Sequence, residues 1–223
     1  MRMPSFMGTD TDRESEEARR PVSAIVVAVG LMAVVLVLGL AVRGGPLSID
    51  TAVADALAAS FPPSATQLFN AVGELPVFGA VGLLGALICL LQGRRPMAAV
   101  FILGLCVEVA TTVVKVAVDR PRPPGGTDVE AFITAATYPS GHVVRIVVVG
   151  GLLVWAFAGR RGLGRWLPIV AAIAVAFLVG CARIASHEHW PSDVVGGWLL
   201  GVAWLVGCLV VEAEVRRRLP SPA

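Results

Sequence analysis

His189 and Asp193 stand four residues apart in Arg183-Ile-Ala-Ser-His-Glu-His189-Trp-Pro-Ser-Asp193, a charged island between two long apolar runs. That spacing is one helical turn, and Pro191 and Ser192 between them offer the start and cap of a helix. A carboxylate so placed can hold one imidazole nitrogen and leave the other free as a nucleophile or base. Arginine, histidine and aspartate at the edge of a membrane-type segment are costly to desolvate, which points to a function and to partners. The plainer reading is a polar loop with a snorkelling arginine, since loops carrying a histidine and an acid are common.

Two further stretches supply what this one lacks. The first is Lys115-Val-Ala-Val-Asp-Arg-Pro-Arg122-Pro123, in which Lys115 is the only lysine of the chain. A compact ammonium beside a planar guanidinium suits a tetrahedral oxyanion approached from two sides; a lysine snorkelling from a helix end is the competing reading. The second is Tyr138-Pro-Ser140-Gly141-His142, which leads straight into an apolar run. Ser140 and Gly141 at a helix start offer a hydroxyl and free backbone N–H groups, the physical basis of phosphate binding. Alone, the same four residues would be an ordinary turn and cap.

The elements that must position these residues are membrane-type helices. Apolar residues make up 56% of the chain and charged residues 15%, with a mean hydropathy of +0.79, outside the range of soluble proteins. Six apolar runs, 22–42, 76–91, 96–118, 143–158, 166–184 and 194–211, are candidate spans, those at 76 and 143 being short. Glycines recur in them, as at Gly79, Gly82 and Gly85 or Gly197 and Gly201, where helices could approach closely. Residues 1–20, polar and without apolar periodicity, are expected to form a disordered tail, 21–215 the membrane domain and 216–223 a basic tail. The first run is too long for a cleavable signal and lacks a convincing cleavage site. Between the first two runs, Ile49, Val53, Leu57 and Phe61 mark one helical face; Pro62 and Pro63 break it, and Ser64 to Gly73 reads as a second short helix, giving a hairpin on the membrane surface or over the bundle. Cys89, Cys106, Cys181 and Cys208 lie in apolar runs without metal-site or disulfide spacing and read as small hydrophobes.

Arginine clusters at 19–20, 94–95, 160–165 and 216–218 flank alternate ends of the spans, so the positive-inside rule puts them and both termini in the cytoplasm. The three chemical stretches then share the outer face, where Arg120 and Arg122 are exceptions that invite a functional explanation. Glu108 and Arg145 are isolated charges inside candidate spans, on much the same side as Lys115 and His142; they are expected to meet each other or the cations beneath the site, unless they line a water-filled cavity without pairing.

Taken together, Lys-x6-Arg-Pro, Pro-Ser-Gly-His and Arg-x5-His-x3-Asp, in this order and on one side of a six-span protein, resemble the tripartite signature of the type 2 phosphatidic acid phosphatase superfamily. The resemblance covers the chain from near residue 50 to the end of the last span. It departs at Ala182, where the third motif usually has serine, which removes one hydroxyl from the phosphate site; the additional His187 reads as loop structure before substrate binding. The resemblance implies an all-α, six-span fold with an outer hairpin. It implies His189 as the nucleophile that becomes a phosphohistidine, Asp193 as the residue that fixes its tautomer, and His142 as the acid for the departing oxygen and then the base for water. Lys115, Arg122, Arg183, Ser140 and Gly141 would hold the phosphoryl oxygens.

The activity so implied is metal-independent hydrolysis of a lipid phosphate or diphosphate at the outer membrane face, with membrane lipids around it and no cofactor, metal or nucleic-acid partner. Polyprenyl diphosphates, phosphatidate and phosphatidylglycerol phosphate are the implied candidates. A metal site built from His142, His187, Glu188 and His189 is the weaker reading, because His-Glu-His within three residues lacks i,i+4 ligand geometry and leaves Lys115, Arg122 and Arg183 unexplained. The same motifs are compatible with transfer of the phosphoryl group to an alcohol, and the same fold with non-catalytic binding or transport of a lipid phosphate.

Overall fold

The computed structural model describes residues 10–126, 135–159 and 161–218, with side chains from residue 22 onward. These residues are all-α: α1 Asp10–Val42, α2 Ser48–Ser60, α3 Pro63–Val72, α4 Leu75–Leu91, α5 Arg95–Leu105, α6 Val107–Val118, α7 Gly141–Phe157, α8 Leu163–Ala185 and α9 Pro191–Arg218. Local chemistry sets most of these boundaries. The Asp50 carboxylate accepts the Leu47 N–H (2.9 Å) to open α2, Pro63 and Pro76 sit in the first turns of α3 and α4 where no N–H is needed, and Asp119 closes α6 in the left-handed conformation.

Four segments, 22–42, 95–118, 163–185 and 191–218, are each long and apolar enough to cross a membrane. The third of the expected runs is thus α5 and α6 together, with a local break at Cys106. The runs at 76 and 143 fall short by themselves. α4 reaches span length only when joined to α3 across a 48° bend, and α7 has 17 residues, about 25 Å of helix against a hydrocarbon core of about 30 Å. The helices at both chain ends run further than the expected spans. From Asp10 to Arg20 the expected tail is the first part of α1, because extending an existing helix through glutamate, alanine and arginine avoids the cost of nucleation. α9 likewise runs through Arg218, so the start of the expected basic tail is helical; residues 1–9 and 219–223 lie outside the described ones.

Packing places α1 against α9, α4 against α5, and α7 against both α8 and α9. Phe101, Val148, Leu152 and Leu200 are buried at the centre, whereas Val26, Val37, Leu91 and Phe177 are exposed on the periphery, as expected of surfaces that face lipid. The chain order puts the end of α6, the start of α7, the end of α8 and the start of α9 at one end of the bundle, where the three motifs meet. Glycine permits the close approaches: a Cβ on Gly82 or Gly85 would overlap Leu105 or Phe101 of the facing helix, and one on Gly201 would overlap Val147. Gly79 differs, since a Cβ there would meet nothing within 4 Å.

At Gly197 the obstruction is backbone as well as side chain: an added Cβ would lie 2.8 Å from the Ser140 carbonyl oxygen and 3.1 Å from Val143 Cβ. Gly197→Ala is therefore expected to force α7 and α9 apart at a cost of about 1–3 kcal/mol. Thermal unfolding in detergent reads this as a lower Tm, and a wild-type Tm would show that the helix contact has slack.

Candidate active site

Arg120, almost fully buried, bridges the loop after α6 to both the hairpin and α9. Its Nη1 donates to Asp193 Oδ1 and, at 2.8 Å, to Ser192 Oγ; its Nη2 donates to Asp50 Oδ2 at 2.8 Å and to the Gly45 carbonyl at 3.1 Å. Asp50 also accepts the Ser192 N–H at 2.9 Å and the Ser192 hydroxyl at 2.6 Å. Every group around this carboxylate is a donor. Burial pushes its proton affinity up, but the bonds from Ser192, Leu47 and Arg120 outweigh this and hold it below the ordinary carboxylate range. The guanidinium further lies 5.9 Å over the Trp190 ring, whose Nε1 donates to the Pro121 carbonyl at 3.2 Å.

Asp193, held in this way on one oxygen, presents the other to His189. Oδ2 accepts the Trp190 N–H at 2.8 Å and lies 3.5 Å from His189 Nδ1. The pair is nearly inaccessible to solvent, and with Nδ1 turned to the carboxylate, Nε2 is the nitrogen left for chemistry. The turn that delivers His189 forms because the N–H groups of Glu188 and His189 both return to the Arg183 carbonyl, at 3.1 Å each, while His187 adopts a left-handed φ of 56° to close α8. The main chain of His187 is thus part of the turn.

The Pro-Ser-Gly-His stretch is anchored from both sides. The Ser140 N–H donates to the Asp193 carbonyl at 3.0 Å. Tyr138, buried between Gly39 of α1 and Gly196 of α9, donates its hydroxyl to the Val35 carbonyl at 2.7 Å; burial, reinforced by the negative charge of Asp193, keeps this phenol protonated far above neutral pH. Ser140 Oγ is buried and has no hydrogen-bond partner among the described residues, at the start of α7 where Gly141 sits in the first turn with its N–H beyond the helix ladder. The orphan hydroxyl and the helix start are what an anion would satisfy.

His142, Lys115, Arg122 and Arg183 close around the same space. His142 is near enough to feel the charges of Arg183, Arg145, His189 and Lys115, and Lys115 those of Arg122, Arg145, Asp193 and Arg183. Arg122 Nη1 lies 2.9 Å from Glu188 Oε2, and Arg183 Nη2 lies 4.0 Å from the same oxygen. A carboxylate therefore bridges the two guanidinium groups at the point where the motifs converge. Among the described residues no three histidine, cysteine, aspartate or glutamate side chains form a metal-ligand group.

Beneath the cluster Arg145 meets Glu108, as their spacing predicts: Nε lies 2.9 Å from Oε1 and Nη2 3.1 Å from Oε2, while Nη1 donates to the Gly73 carbonyl at 3.1 Å. Gly73 in turn abuts His142; a Cβ there would fall 2.5 Å from the ring. From this corner an apolar groove of about 590 Å³ runs down the bundle, starting at Val72 and Ile146 and continuing past Phe78, Leu153 and Pro168 between α4, α7 and α8. Of its lining, Val72 is next to Gly73 in the chain and Ile146 is one helical turn from His142.

This arrangement of three motifs is one that other proteins share. A family model for the PAP2 superfamily matches residues 95–217. The chain belongs to the PAP2 superfamily. It is similar to the undecaprenyl-diphosphatase of Sulfolobus acidocaldarius, 37% identical over 81 residues, or 36% of this chain and 35% of that protein. It is also similar to the bacitracin transport permease protein BcrC of Bacillus licheniformis, 39% identical over 66 residues, or 30% of this chain and 29% of that one. The matches span about a third of the length of these curated relatives. In fold it is similar to the crystal structure of a transmembrane PAP2 type phosphatidylglycerolphosphate phosphatase from Bacillus subtilis, with a TM-score of 0.64 at 20% identity over 87% of this chain and 98% of that one.

The structure brings all eight residues singled out in the PAP2 motifs to one end of the bundle. It adds Asp50, Gly73 and a bridging role for Glu188, which sequence reasoning missed. Asp50 had one available signal, an acid on a short helix facing the same side as the unexplained Arg120.

Arg120→Gln leaves two buried carboxylates without their counter-charge and is expected to destabilise the protein by about 3–5 kcal/mol. Asp50→Asn should cost less, since Arg120 then keeps Asp193. Because Asp50 is depressed, its stabilising share is present above the ordinary carboxylate range and disappears as pH falls through its folded value. Unfolding in detergent as a function of pH measures all three, and an Arg120→Gln protein as stable as wild type would remove the network from any structural role.

Proposed function

We propose that this PAP2 superfamily member is a membrane phosphatase that hydrolyses a lipid phosphate or diphosphate through a phosphohistidine on His189. The observation that carries this reading is an Asp193-oriented imidazole with a second histidine beside it, one helical turn from the lining of an apolar groove. His189 Nε2 attacks phosphorus as the bond to the lipid oxygen breaks, and His142 gives its proton to that oxygen. Water then attacks the phosphohistidine with His142 taking the proton back, so that phosphate and free imidazole are restored. Asp193 stabilises the cationic ring in between.

The position of His142 supports this division of roles. A leaving group whose chain occupies the groove would present its oxygen near Val72 and Ile146, one helical turn from His142. Lys115, Arg122, Arg183, the Ser140 hydroxyl and the Gly141 N–H would take the non-bridging oxygens, with the phosphate displacing the Glu188 carboxylate from its bridge between Arg122 and Arg183. No step requires a metal, since the cations supply the charge. An isoprenoid phosphate or diphosphate is the preferred substrate class: the relative from Sulfolobus is an undecaprenyl-diphosphatase, and the groove is apolar along its length.

In the same reading the six apolar segments, with α4 as the second, are six spans, and α2 and α3 form the outer hairpin. Arg94, Arg95, Arg165 and Arg216 lie at the bundle end away from the motifs, which supports a cytoplasmic placement of that end and an outer active site. Cysteine introduced at Pro124 is then labelled from outside by an impermeant thiol reagent, and cysteine at Arg161 is not. The reverse pattern would place the chemistry in the cytoplasm.

The two histidines are separable by leaving group. His189→Ala is expected to abolish phosphoenzyme formation on every substrate. His142→Ala should lose about 10²- to 10⁴-fold on a lipid monophosphate, which expels an alkoxide, and less on a diphosphate, which expels a stable phosphate anion. Single-turnover phosphoenzyme formation in excess chelator is the assay. Phosphoenzyme persisting without His189, or a requirement for added metal, would overturn the scheme, and equal losses on both substrates would remove the acid role from His142.

A further inference from the structure

The end of the bundle opposite the His189 cluster contains a second, larger cavity of about 1650 Å³. Its walls are the turn between α4 and α5, the last turns of α7, the first turns of α8 and the C-terminal half of α9. Four guanidinium groups line it, from Arg94, Arg95, Arg165 and Arg216, against the single carboxylate of Glu212. They come from three separate parts of the chain and none belongs to the motifs above.

The polar groups of this cavity are partly fixed and partly available. Glu212 is buried, and its carboxylate accepts Arg216 Nε at 3.0 Å, so the one acid is already occupied by the arginine on its own helix. Arg94 is clamped: Nη1 donates to the Ala156 carbonyl at 2.9 Å and the guanidinium lies 5.9 Å over the Phe157 ring. Arg95 and Arg165 are exposed and have no acidic partner among the described residues. The result is a concave surface with an uncompensated positive charge, two cations of which are held in place and two of which are available to a ligand.

The rest of the lining is apolar, with Leu205 and Leu209 of α9 and Ile169 of α8 continuing from the arginines into the bundle, and Trp155 half-exposed at the side. Depth is fixed by the sequence of spans. Arg95 opens the segment 95–118, Arg165 lies in the first turn of 163–185, and Arg216 lies in the last turn of 191–218. Three span ends coincide at the cavity, which is where lipid headgroups lie, and a tryptophan at that level is what a membrane–water boundary selects. A soluble phosphate would have no use for the apolar half, and a neutral lipid none for the arginines.

We infer that this cavity is a binding site for an anionic phospholipid of the leaflet opposite the active site, its phosphate on Arg95 and Arg165 beside the clamped Arg94 and its acyl chains along Leu205 and Leu209. Basic recesses between membrane helices recognise phosphate headgroups in this way. The inference depends on the chain spanning a membrane and not on the chemistry proposed for His189. A lipid seated here ties the α4–α5 turn to α8 and α9, elements that also carry Arg183 and Asp193 at the other end.

The test is native mass spectrometry of the full chain in detergent with phosphatidylglycerol or phosphatidylcholine added, together with thermal unfolding in the same mixtures. Phosphatidylglycerol is a diester, which a phosphatase of monoesters and diphosphates leaves intact. Each arginine near an anionic surface is worth roughly fivefold in affinity, so Arg95→Gln/Arg165→Gln is expected to weaken phosphatidylglycerol retention about 25-fold and to abolish the rise in Tm that the lipid gives the wild type. Lys115→Gln/Arg122→Gln, altered only at the catalytic end, should retain the lipid. The lipid-free Tm of the Arg95/Arg165 variant should match wild type and certifies its fold; if it does not, the single variants, each about fivefold weaker, carry the same comparison. Equal retention of phosphatidylcholine, loss of retention only in the Lys115/Arg122 variant, or inorganic phosphate raising the wild-type Tm as much as the lipid does would each overturn the assignment.

Discussion

Arg120 is the contact on which the active end of this protein depends. A single guanidinium, removed from water, serves two carboxylates that belong to different elements: Asp50 on α2 and Asp193 on α9. Buried charges need partners, and Arg120 and the two acids supply one another's. The bridge fixes three parts of the chain at once. The loop of the first motif is drawn over the start of α9, the hairpin is fastened to Ser192, and Asp193 is turned so that its second oxygen meets His189. Stability and the geometry of the His189–Asp193 pair are thereby set by the same charges.

A similar economy operates one layer below. Arg145 and Glu108 neutralise one another inside the apolar bundle, and the remaining donor of Arg145 holds the Gly73 carbonyl, which sets the bend between α3 and α4 against the His142 ring. The bend is also where the apolar groove begins. One ion pair thus fixes the relation between a histidine and a lipid-sized channel, and the glycine is needed because a side chain at that point would occupy the histidine's place. The two ion-pair systems divide the site: Arg120 governs the His189 side and Arg145 the His142 side.

How much of this was legible in the sequence follows from the range of the interactions. The three motifs could be read because each is local: a helical turn between His189 and Asp193, a helix start after Ser140, a basic segment around Lys115. The meeting of Glu108 and Arg145 could be read because isolated charges in apolar segments have few ways to be satisfied. Asp50 could not. It is an ordinary acid in the first turn of an amphipathic helix, and its importance comes from Arg120, 70 residues away. Glu188 drew notice only as a possible metal ligand, since its proximity to Arg122 depends on how the turn after α8 folds. The extent of α1 and α9 was underestimated for a different reason: composition signals where a helix is buried, and helices here continue past the apolar segment into charged residues that favour the conformation.

The distribution of acids explains why a site so rich in cations can exist before any phosphate arrives. Arg120 has Asp50 and Asp193, Arg145 has Glu108, and Arg122 has Glu188, with Arg183 at the edge of the same carboxylate. Among the described residues Lys115 is the motif cation without a carboxylate at ion-pair distance. Under the proposed chemistry a phosphoryl group would therefore meet Lys115 directly and would compete with Glu188 for the two arginines. The pairs that involve Arg120 and Arg145 are not in competition with it, because their acids lie behind the histidines. In that scheme the carboxylates of Asp50, Asp193 and Glu108 hold the fold together with or without substrate, while Glu188 is the acid that an incoming anion would displace.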